Sequence, residues 1–237
     1  MENSIFDISK STDSRVVVSG DRIQESLVET TERFVVFLDI MGFKDTVARE
    51  SHDRLRDQLT GFNERVMEII NQEPDVEITQ FSDSIFLFTR DGGKEDLKLI
   101  TEKTQEIFFE AINSKLPMKG AMAYGKTTCN LAKHLFFGQP IVDAYLLEED
   151  VKYYGIVVHH TAEQQASALL GDDVHHYFYE HPLPFRDGLI NHKECAWYKK
   201  NPQQAITNVE NIRMQVSDSP RRYIDNTVRV IQEYTAM

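Results

Sequence analysis

The feature that most constrains the fold is an apolar run that ends in an aspartate. Residues 34–45 are FVVFLDIMGFKD, and the segment 33–39 is too apolar to form a strand with one face in water. Such a run predicts a central strand that is covered on both faces. Asp39 then lies at the buried end of that strand, and Gly42 opens the turn that follows. Because a buried carboxylate is costly unless it is neutralised, we expect a cationic partner beside Asp39.

A second aspartate occupies a comparable place. The segment 78–88, ITQFSDSIFLF, contains two apolar runs separated by a short polar turn with Asp83, a pattern typical of a β-hairpin. Either aspartate alone is explained by an ordinary role as a helix N-cap or a turn residue. Together, at the ends of adjacent apolar strands, they suit two divalent ions, and hard oxygen ligands favour Mg2+ or Mn2+. The backbone at 40–43 opens a helix and could bind phosphate through its amides.

The order of the predicted elements indicates an α+β fold of the ferredoxin-like or palm type. Hydrophobic periodicity and turn residues define these elements along the first two thirds of the chain. Strands are predicted at 33–39, 76–81, 84–88, 118–124 and 155–159, and helices at 55–70, 97–111 and 140–149.

The chain is therefore divided into three parts. Residues 1–32 form a polar N-terminal arm with a short predicted strand at 15–18, and 33–160 form the α+β domain. Residues 161–237 form a mainly helical C-terminal extension packed on the core. Its helices are marked by a capping-box pattern at Thr161 and by Asn201 before a proline.

Composition excludes several classes of function. The 237 residues have a formal net charge of −12, which disfavours binding to nucleic acid and to anionic membranes. The cysteines, Cys129 and Cys195, are far apart and indicate neither a disulfide framework nor a zinc knuckle. No apolar stretch is long enough to span a membrane, and the N-terminus lacks a signal-peptide pattern. We expect a soluble, cytoplasmic protein.

One motif offers a competing interpretation. Residues 120–127, GAMAYGKT, match the Walker A pattern and would make Lys126 a phosphate ligand. The interior of the match is apolar and alternating, which favours a strand over a flexible loop. A P-loop also requires a preceding strand, whereas Pro117 lies just before this segment. A P-loop NTPase is therefore an alternative that the structure must test.

Three further patterns favour structural roles. The sequence GDD at 171–173 falls where a helix is predicted to end. The doublets at 159–160 and 175–176 invite a metal assignment, but adjacent histidines on a strand point to opposite faces and have no accompanying zinc spacing. Trp197 could stack on a base, although an aromatic anchor for the C-terminal helices is the simpler interpretation.

Four segments resemble class III nucleotide cyclases, in the order in which that family has them. FLDIMGFKD resembles the first metal motif of the family and FSDSI the second. MKGAMAYG at 118–125 resembles the strand whose basic residue contacts the triphosphate, and Lys119 occupies that place. FFGQPIVDAYLLEE at 136–149 resembles the helical segment that follows. The sequences of these motifs are most similar to those of the Pycsar pyrimidine cyclases of bacterial anti-phage defence.

The resemblance implies a homodimer that converts UTP or CTP into the 3′,5′-cyclic monophosphate and pyrophosphate, as a messenger read by a downstream effector. Asp39 and Asp83 would be the catalytic metal ligands, with the Ile40 carbonyl, for two Mn2+ or Mg2+ ions. The triphosphate would be bound by Lys119 and by the backbone of Met41, Gly42 and Phe43. The resemblance places the sites at the dimer interface.

This chain departs from the family at two pairs of positions. Thr79 and Leu135 stand where adenylate cyclases have the lysine and aspartate that recognise adenine, which is consistent with a different base. Both residues would line the base pocket of the partner's nucleotide. Val142 and Leu146 stand where the family has its transition-state asparagine and arginine, and neither can replace them.

Two consequences follow from the second departure. Arg33, on the same strand face as Asp39 by alternation, is the candidate substitute for the missing arginine. If no substitute exists, the chain is a catalytically weak or inactive dimer that senses nucleotides. Among pyrimidines, the family favours UTP over CTP, and the sequence itself does not choose.

Overall fold

The chain folds around one eight-stranded sheet, described in a computed structural model for residues 30–71, 75–216 and 220–236. The strands are β1 (Thr30–Ile40), β2 (Val76–Phe81), β3 (Ser84–Thr89), β4 (Met118–Asn130), β5 (Leu135–Gly138), β6 (Ile156–Val158), β7 (Tyr179–Phe185) and β8 (Gly188–Glu194). The helices are α1 (Phe43–Arg49), α2 (His52–Ile70), α3 (Lys94–Asn113), α4 (Gln139–Asp150), α5 (His160–Leu170), α6 (Pro202–Ile212) and α7 (Arg221–Thr235).

The apolar run at 34–38 forms the middle of β1, and all five of its side chains are buried. β1 is a central strand that pairs antiparallel with β3 on one side and with β4 on the other. The prediction for 33–39 is thus confirmed, although the strand begins earlier, at Thr30. The predicted strand at 15–18, with most of the predicted arm, lies outside the described residues.

The sheet order is β2-β3-β1-β4-β6-β8-β7, with β5 pairing with β4. β4 and β6 are parallel, whereas the other pairs of strands are antiparallel. α2 and α3 cover one face of the sheet over a continuous apolar core. α4 packs on the other face, against β1 and β4. The predicted α+β order is confirmed, and no helix among the described residues has the length and hydropathy needed to cross a bilayer.

The C-terminal extension contains the predicted helices and also a hairpin that the sequence analysis missed. β7 and β8 pair over their whole length, and β8 meets β6 at Val157, so the hairpin continues the sheet. The prediction was wrong here because Pro182 and Pro184 argue against a strand. The turn dipeptide Asp187-Gly188 is the signal that could have identified the hairpin.

The predicted helix starts are partly correct. Asn201 caps α6, and its side chain accepts a hydrogen bond from the amide of Gln204. The capping box at Thr161 is wrong, because α5 begins at His160. The Thr161 hydroxyl instead accepts a hydrogen bond from the Tyr124 amide, at 3.1 Å, and so attaches the helix to β4.

The Walker A match lies wholly inside β4, so the P-loop interpretation is wrong. Gly120 is required there for a different reason than phosphate binding. A Cβ at this position would lie 2.5 Å from the Phe37 carbonyl oxygen and 2.5 Å from Leu38 Cδ2. Lys126 is exposed on the strand, away from any glycine-rich loop. The glycine thus permits the close approach of β4 to β1.

Candidate active site

The two aspartates predicted to act together are brought together by β1 and the β2–β3 hairpin. Asp83 lies in the two-residue turn of the hairpin, where the preceding Ser82 has a positive φ of 57°. The Ile40 amide donates a hydrogen bond to the Asp83 carbonyl, at 3.0 Å. Ser84 is paired with Asp39 in the strand register, and its hydroxyl donates to Asp39 Oδ1 at 3.2 Å. The end of β1 and the hairpin turn are therefore one structural unit.

The electrostatics of this unit favour a bound cation. Burial raises the pKa of Asp39, and the neighbouring Asp83 carboxylate raises it further. The Ser84 hydroxyl and Lys119 oppose that rise by stabilising the charged form. A divalent ion would remove the repulsion between the two carboxylates.

These aspartates line a cavity of about 470 Å³ at the end of the sheet. The predicted backbone segment Met41, Gly42 and Phe43 lines it, as do Lys119 and Ile40. The sequence analysis missed seven further lining residues, which come from β1, α1, β3, α4 and the turn between β7 and β8. They are Phe37, Lys44, Ser84, Tyr145, Glu148, Glu149 and Arg186.

The predicted phosphate-binding turn is only partly available. Gly42 has a φ of 72°, and the left-handed conformation lets the chain turn from β1 into α1. The Met41 amide, however, donates a hydrogen bond of 2.7 Å to the Pro117 carbonyl. Met41 therefore cannot offer its amide to a phosphate, and the prediction narrows to Gly42 and Phe43.

Lys119 lies on the floor of the cavity and is held by α4. It is 7% exposed, and Nζ donates a hydrogen bond of 3.0 Å to the Glu148 carbonyl oxygen. Nζ also lies 3.1 Å from Oε1 of the Glu148 carboxylate. Burial raises the pKa of Glu148 to about 7, even though Lys119 acts in the opposite direction. The lysine is thus positioned by a buried carboxyl group beside the two aspartates.

Arg33 does not belong to this site. It shares a strand face with Asp39, as predicted, but the two residues are six positions apart, a separation of about 20 Å along β1. Its side chain is buried, and Nη1 donates a hydrogen bond of 3.2 Å to the Thr89 carbonyl. A guanidinium that is buried at the other end of the strand cannot replace a transition-state arginine. The assignment of Arg33 was wrong because strand alternation gives the face and not the distance.

This chain departs from the family at four positions, all in the described part of the structure. None of these four side chains lines the cavity. Thr79 is half-buried on β2, on the same face of the sheet as Asp39. Leu135 is exposed on β5. Val142 and Leu146 lie one turn apart on α4 and are 46% and 53% exposed. Phe137 on β5 is exposed too, at 56%. The four exposed apolar residues of these two elements, Leu135, Phe137, Val142 and Leu146, are called the β5–α4 surface.

The two histidine doublets lie at the ends of helices. His159 and His160 start α5, and His175 and His176 end a 3-10 helix, so neither doublet lies on a strand as assumed. The rings within each doublet lie 4.1 Å and 4.0 Å apart rather than on opposite faces. In the described part of the chain, no cluster of three or more His, Cys, Asp or Glu side chains could hold a metal.

Trp197 is buried in the hydrophobic core, where its ring lies against α3. Its Nε1 donates a hydrogen bond of 3.0 Å to the Tyr154 carbonyl oxygen, and its ring packs on Phe108. The predicted role as an aromatic anchor is thus supported over base stacking. The GDD sequence forms the start of a 3-10 helix, Gly171–His176. Its glycine is also the C-cap of α5 and has a positive φ of 56°.

No protein-family profile matches the sequence, and no curated protein matches it. Solved structures do match the fold. The guanylate cyclase domain of RhGC from Catenaria anguillulae, in complex with GTP, has 17% identity and a TM-score of 0.51 over 70% of this chain and 96% of its own. The adenylyl cyclase CyaB from P. aeruginosa has 16% identity and a TM-score of 0.52 over 70% and 95%.

A non-canonical dimeric guanylyl cyclase domain of the RhoGC fusion protein from the aquatic fungus Blastocladiella emersonii gives the same result. It has 17% identity and a TM-score of 0.51 over 70% of this chain and 94% of that one. At sequence identities of 16% to 17%, the similarity to these structures shows a shared fold. The α+β core has the fold of class III nucleotide cyclase catalytic domains, and C-terminal helices follow it in this chain.

Proposed function

We propose that this protein is a nucleotide cyclase that converts UTP, or CTP, into the 3′,5′-cyclic monophosphate with release of pyrophosphate. One observation supports the proposal above others. On a class III cyclase fold, Asp39, Asp83 and Lys119 meet in a single cavity, at the positions where the sequence resembles the metal and triphosphate motifs of that family. That arrangement of two carboxylates and a cation supports a nucleoside triphosphate as the class of substrate.

Asp39 and Asp83, with the Ile40 carbonyl, would hold two Mn2+ or Mg2+ ions. The residues fit such ions because both side chains are hard oxygen ligands whose mutual repulsion a cation relieves. Two carboxylates leave room for substrate phosphate oxygens and water, as Mg2+ prefers. When bound, the ions supply activation of the ribose 3′-hydroxyl and neutralise charge on the triphosphate.

The chain itself orients the triphosphate for an in-line reaction. Lys119 and the amides of Gly42 and Phe43 would contact phosphate oxygens, which fixes the α-phosphorus relative to the 3′-hydroxyl. The 3′-oxygen then forms a bond to the α-phosphorus as the bond to the β-phosphate oxygen breaks. The hydroxyl proton passes to solvent water, and pyrophosphate leaves.

The preference for a pyrimidine is proposed from two positions. Thr79 and Leu135 replace the ionic pair that reads adenine in adenylate cyclases, so a purine would lose its polar partners. UTP is preferred to CTP in the proposal because of the resemblance to Pycsar cyclases. By the same resemblance, the product would act in the cytoplasm as a messenger of anti-phage immunity that a downstream effector reads.

The proposed active unit is a homodimer. Leu135, Phe137, Val142 and Leu146 are exposed on neighbouring elements, and exposed apolar surfaces of this kind mark interaction sites. If two copies associate through the β5–α4 surface, Thr79 and Leu135 of one copy can reach the nucleotide of the other. The dimeric fungal cyclase domain provides a precedent for association on this fold.

A second function is favoured by the same surface. Because Val142 and Leu146 are exposed apolar side chains, they offer no hydrogen bond to a transition state. A dimer that binds a nucleotide without cyclising it is therefore the rival proposal. It shares the metal ligands and the triphosphate site and differs in turnover alone.

One experiment separates the two. The purified protein is incubated with each ribonucleoside triphosphate and Mn2+, and products are identified by mass spectrometry. Cyclic UMP or CMP with an equal amount of pyrophosphate is the expected result. Unchanged triphosphate, with nucleotide binding retained, would support the sensor. Cyclic AMP or cyclic GMP as the main product would overturn the pyrimidine assignment and leave cyclisation standing.

A further inference from the structure

A guanidinium from the C-terminal extension lines the cavity. Arg186 lies in the turn between β7 and β8, far along the chain from the segments that resemble cyclase motifs. Its side chain nonetheless faces the same cavity as Asp39, Asp83 and Lys119. The sequence analysis assigned no catalytic or binding role to this part of the chain.

The position of Arg186 is fixed by backbone hydrogen bonds to the end of α4. Its amide donates to the Asp150 carbonyl oxygen at 2.8 Å, and the Lys152 amide donates to the Pro184 carbonyl at 2.9 Å. A bridge between Val151 and Phe185 completes the contact. Because α4 also supplies Glu148, which holds Lys119, the hairpin turn and the lysine have a common support.

The side chain, by contrast, is held only weakly. Nη2 lies 3.2 Å from Oδ1 of Asp150, in an ion pair whose side chains are 59% and 49% exposed. Ion pairs with that exposure contribute little to stability. The guanidinium can therefore exchange Asp150 for a stronger partner, and the bidentate pairing of arginine with phosphate is such a partner.

The charge balance of the cavity calls for this cation. Four carboxylates line it, from Asp39, Asp83, Glu148 and Glu149, and the lining cations among the described residues are Lys44, Lys119 and Arg186. Lys119 is already matched by Glu148. A highly charged anion in the cavity therefore needs a cation whose own partner is easily displaced, and Arg186 meets that condition.

We propose that Arg186 binds the triphosphate of the nucleotide in the cavity of its own chain, and that Asp150 holds the guanidinium in the absence of the nucleotide. The proposal rests on the triphosphate part of the proposed function. It places a basic residue of the β7–β8 turn at the triphosphate, in a cavity that Arg33 does not line. It also gives the C-terminal hairpin a function in substrate binding.

The test measures binding of inorganic tripolyphosphate in the presence of Mn2+, by isothermal titration calorimetry. Arg186→Ala should weaken the affinity about 10- to 100-fold, the usual effect of a lost charge-assisted hydrogen-bonding partner. Arg186→Lys should recover part of the loss, because a lysine keeps the charge and loses the bidentate geometry. Asp150→Asn should leave the affinity unchanged or strengthen it, since it removes the competing carboxylate.

Arg229→Ala is the matched control, because Arg229 is a similarly exposed arginine that pairs with Glu233 on α7. The affinity for Mn2+ alone, measured by electron paramagnetic resonance, should be the same in all these variants, which excludes general damage to the site. An Arg186→Ala affinity within twofold of the parent protein would overturn the proposal. So would a loss in Asp150→Asn equal to that in Arg186→Ala.

The binding of tripolyphosphate is measured without catalysis, so this test does not depend on whether the protein forms a cyclic nucleotide. If tripolyphosphate binding depends on Arg186 and no cyclic nucleotide is formed, the cyclase proposal fails and this inference stands. If cyclic nucleotide is formed and Arg186→Ala changes neither binding nor rate, the inference fails and the cyclase stands.

Discussion

Lys119 lies directly opposite Asp39 in the antiparallel pairing of β4 with β1. Directly opposed residues point to the same face of a sheet, so the register places the ammonium group and the carboxylate in one cavity. Next to Lys119, Gly120 is paired with Leu38 and lets the two strands approach closely. The geometry of the site therefore follows from strand pairing more than from any flexible loop.

The first prediction concerns the two aspartates. Asp39→Asn and Asp83→Asn should each lower cyclic nucleotide production by at least about 100-fold, because an amide is a poor substitute for a carboxylate ligand. Mass spectrometry of the product and Mn2+ titration by electron paramagnetic resonance are the measurements. Asp45→Asn is the control, as Asp45 is exposed in the first turn of α1. Normal product formation by Asp39→Asn would refute the metal assignment.

A second prediction separates Lys119 from Lys126. Lys119→Met should lower kcat/KM by about 10- to 100-fold, since one charged contact to the triphosphate is lost. Lys126→Met should have little effect, because that lysine is exposed on β4 and belongs to no phosphate loop. Because Lys119→Met leaves Glu148 buried without its partner, the double variant Lys119→Met with Glu148→Gln is assayed too. Equal effects of Lys119→Met and Lys126→Met would contradict the prediction.

The third prediction tests the β5–α4 surface. Leu146→Glu places a charge on an exposed apolar surface, so it should raise the dimer dissociation constant more than about tenfold without unfolding the monomer. Light scattering after size-exclusion chromatography reports the mass, and the product assay should show a parallel loss of activity. Met214→Glu is the control, because Met214 is 89% exposed outside that surface. A Leu146→Glu protein that remains dimeric would exclude this interface.

A fourth prediction follows from the pKa of Glu148, which burial raises to about 7 from an ordinary value of 4.5. The folded protein then binds the proton more tightly than the unfolded chain. The stabilisation is present below about pH 4.5 and is lost as the pH rises to about 7. Glu148→Gln cannot titrate and lacks this dependence. Between these limits the parent protein should lose on the order of 3 kcal/mol of unfolding free energy relative to the variant.

Urea unfolding of both proteins at intervals from pH 4 to pH 8 checks the difference. A difference in unfolding free energy that is constant over this range would show that Glu148 keeps an ordinary pKa. Because the measurement concerns stability, it does not depend on the assignment of any substrate.

The fifth prediction contrasts two glycines. Gly120→Ala should destabilise the protein by about 2 to 4 kcal/mol, because its Cβ would meet the Phe37 backbone carbonyl. Gly61→Ala should instead stabilise α2 by about 0.5 to 1 kcal/mol, since no atom lies within 4 Å of the added Cβ and alanine favours a helix. Thermal unfolding measures both. A tolerated Gly120→Ala would show that β4 does not need this close approach.

The core was predictable because its signals are local. The apolar run of β1, the two apolar runs of the β2–β3 hairpin and the periodicity of α2 are each local signals, and each predicted the correct element. The convergence of Asp39 and Asp83 was predictable for the same reason, because both lie where an apolar strand ends.

The rest depends on distances that a sequence does not contain. Arg33 was placed on the correct face of β1, but alternation could not show that it lies at the far end of the strand. Arg186 was missed because its position depends on a hairpin with two prolines that packs on α4. The Met41 amide was assigned to phosphate because its bond to Pro117 joins segments that are far apart in the chain.

The pairing of β6 with β8 has a consequence for how this protein can be divided. β6 is a three-residue strand, parallel to β4, and its other side is covered by the C-terminal hairpin. A fragment that ended near residue 160 would leave β6 as a bare edge, with unpaired amides and carbonyls open to other chains. We therefore expect such fragments to aggregate, so that the α+β domain and its extension must be expressed and inherited as one unit.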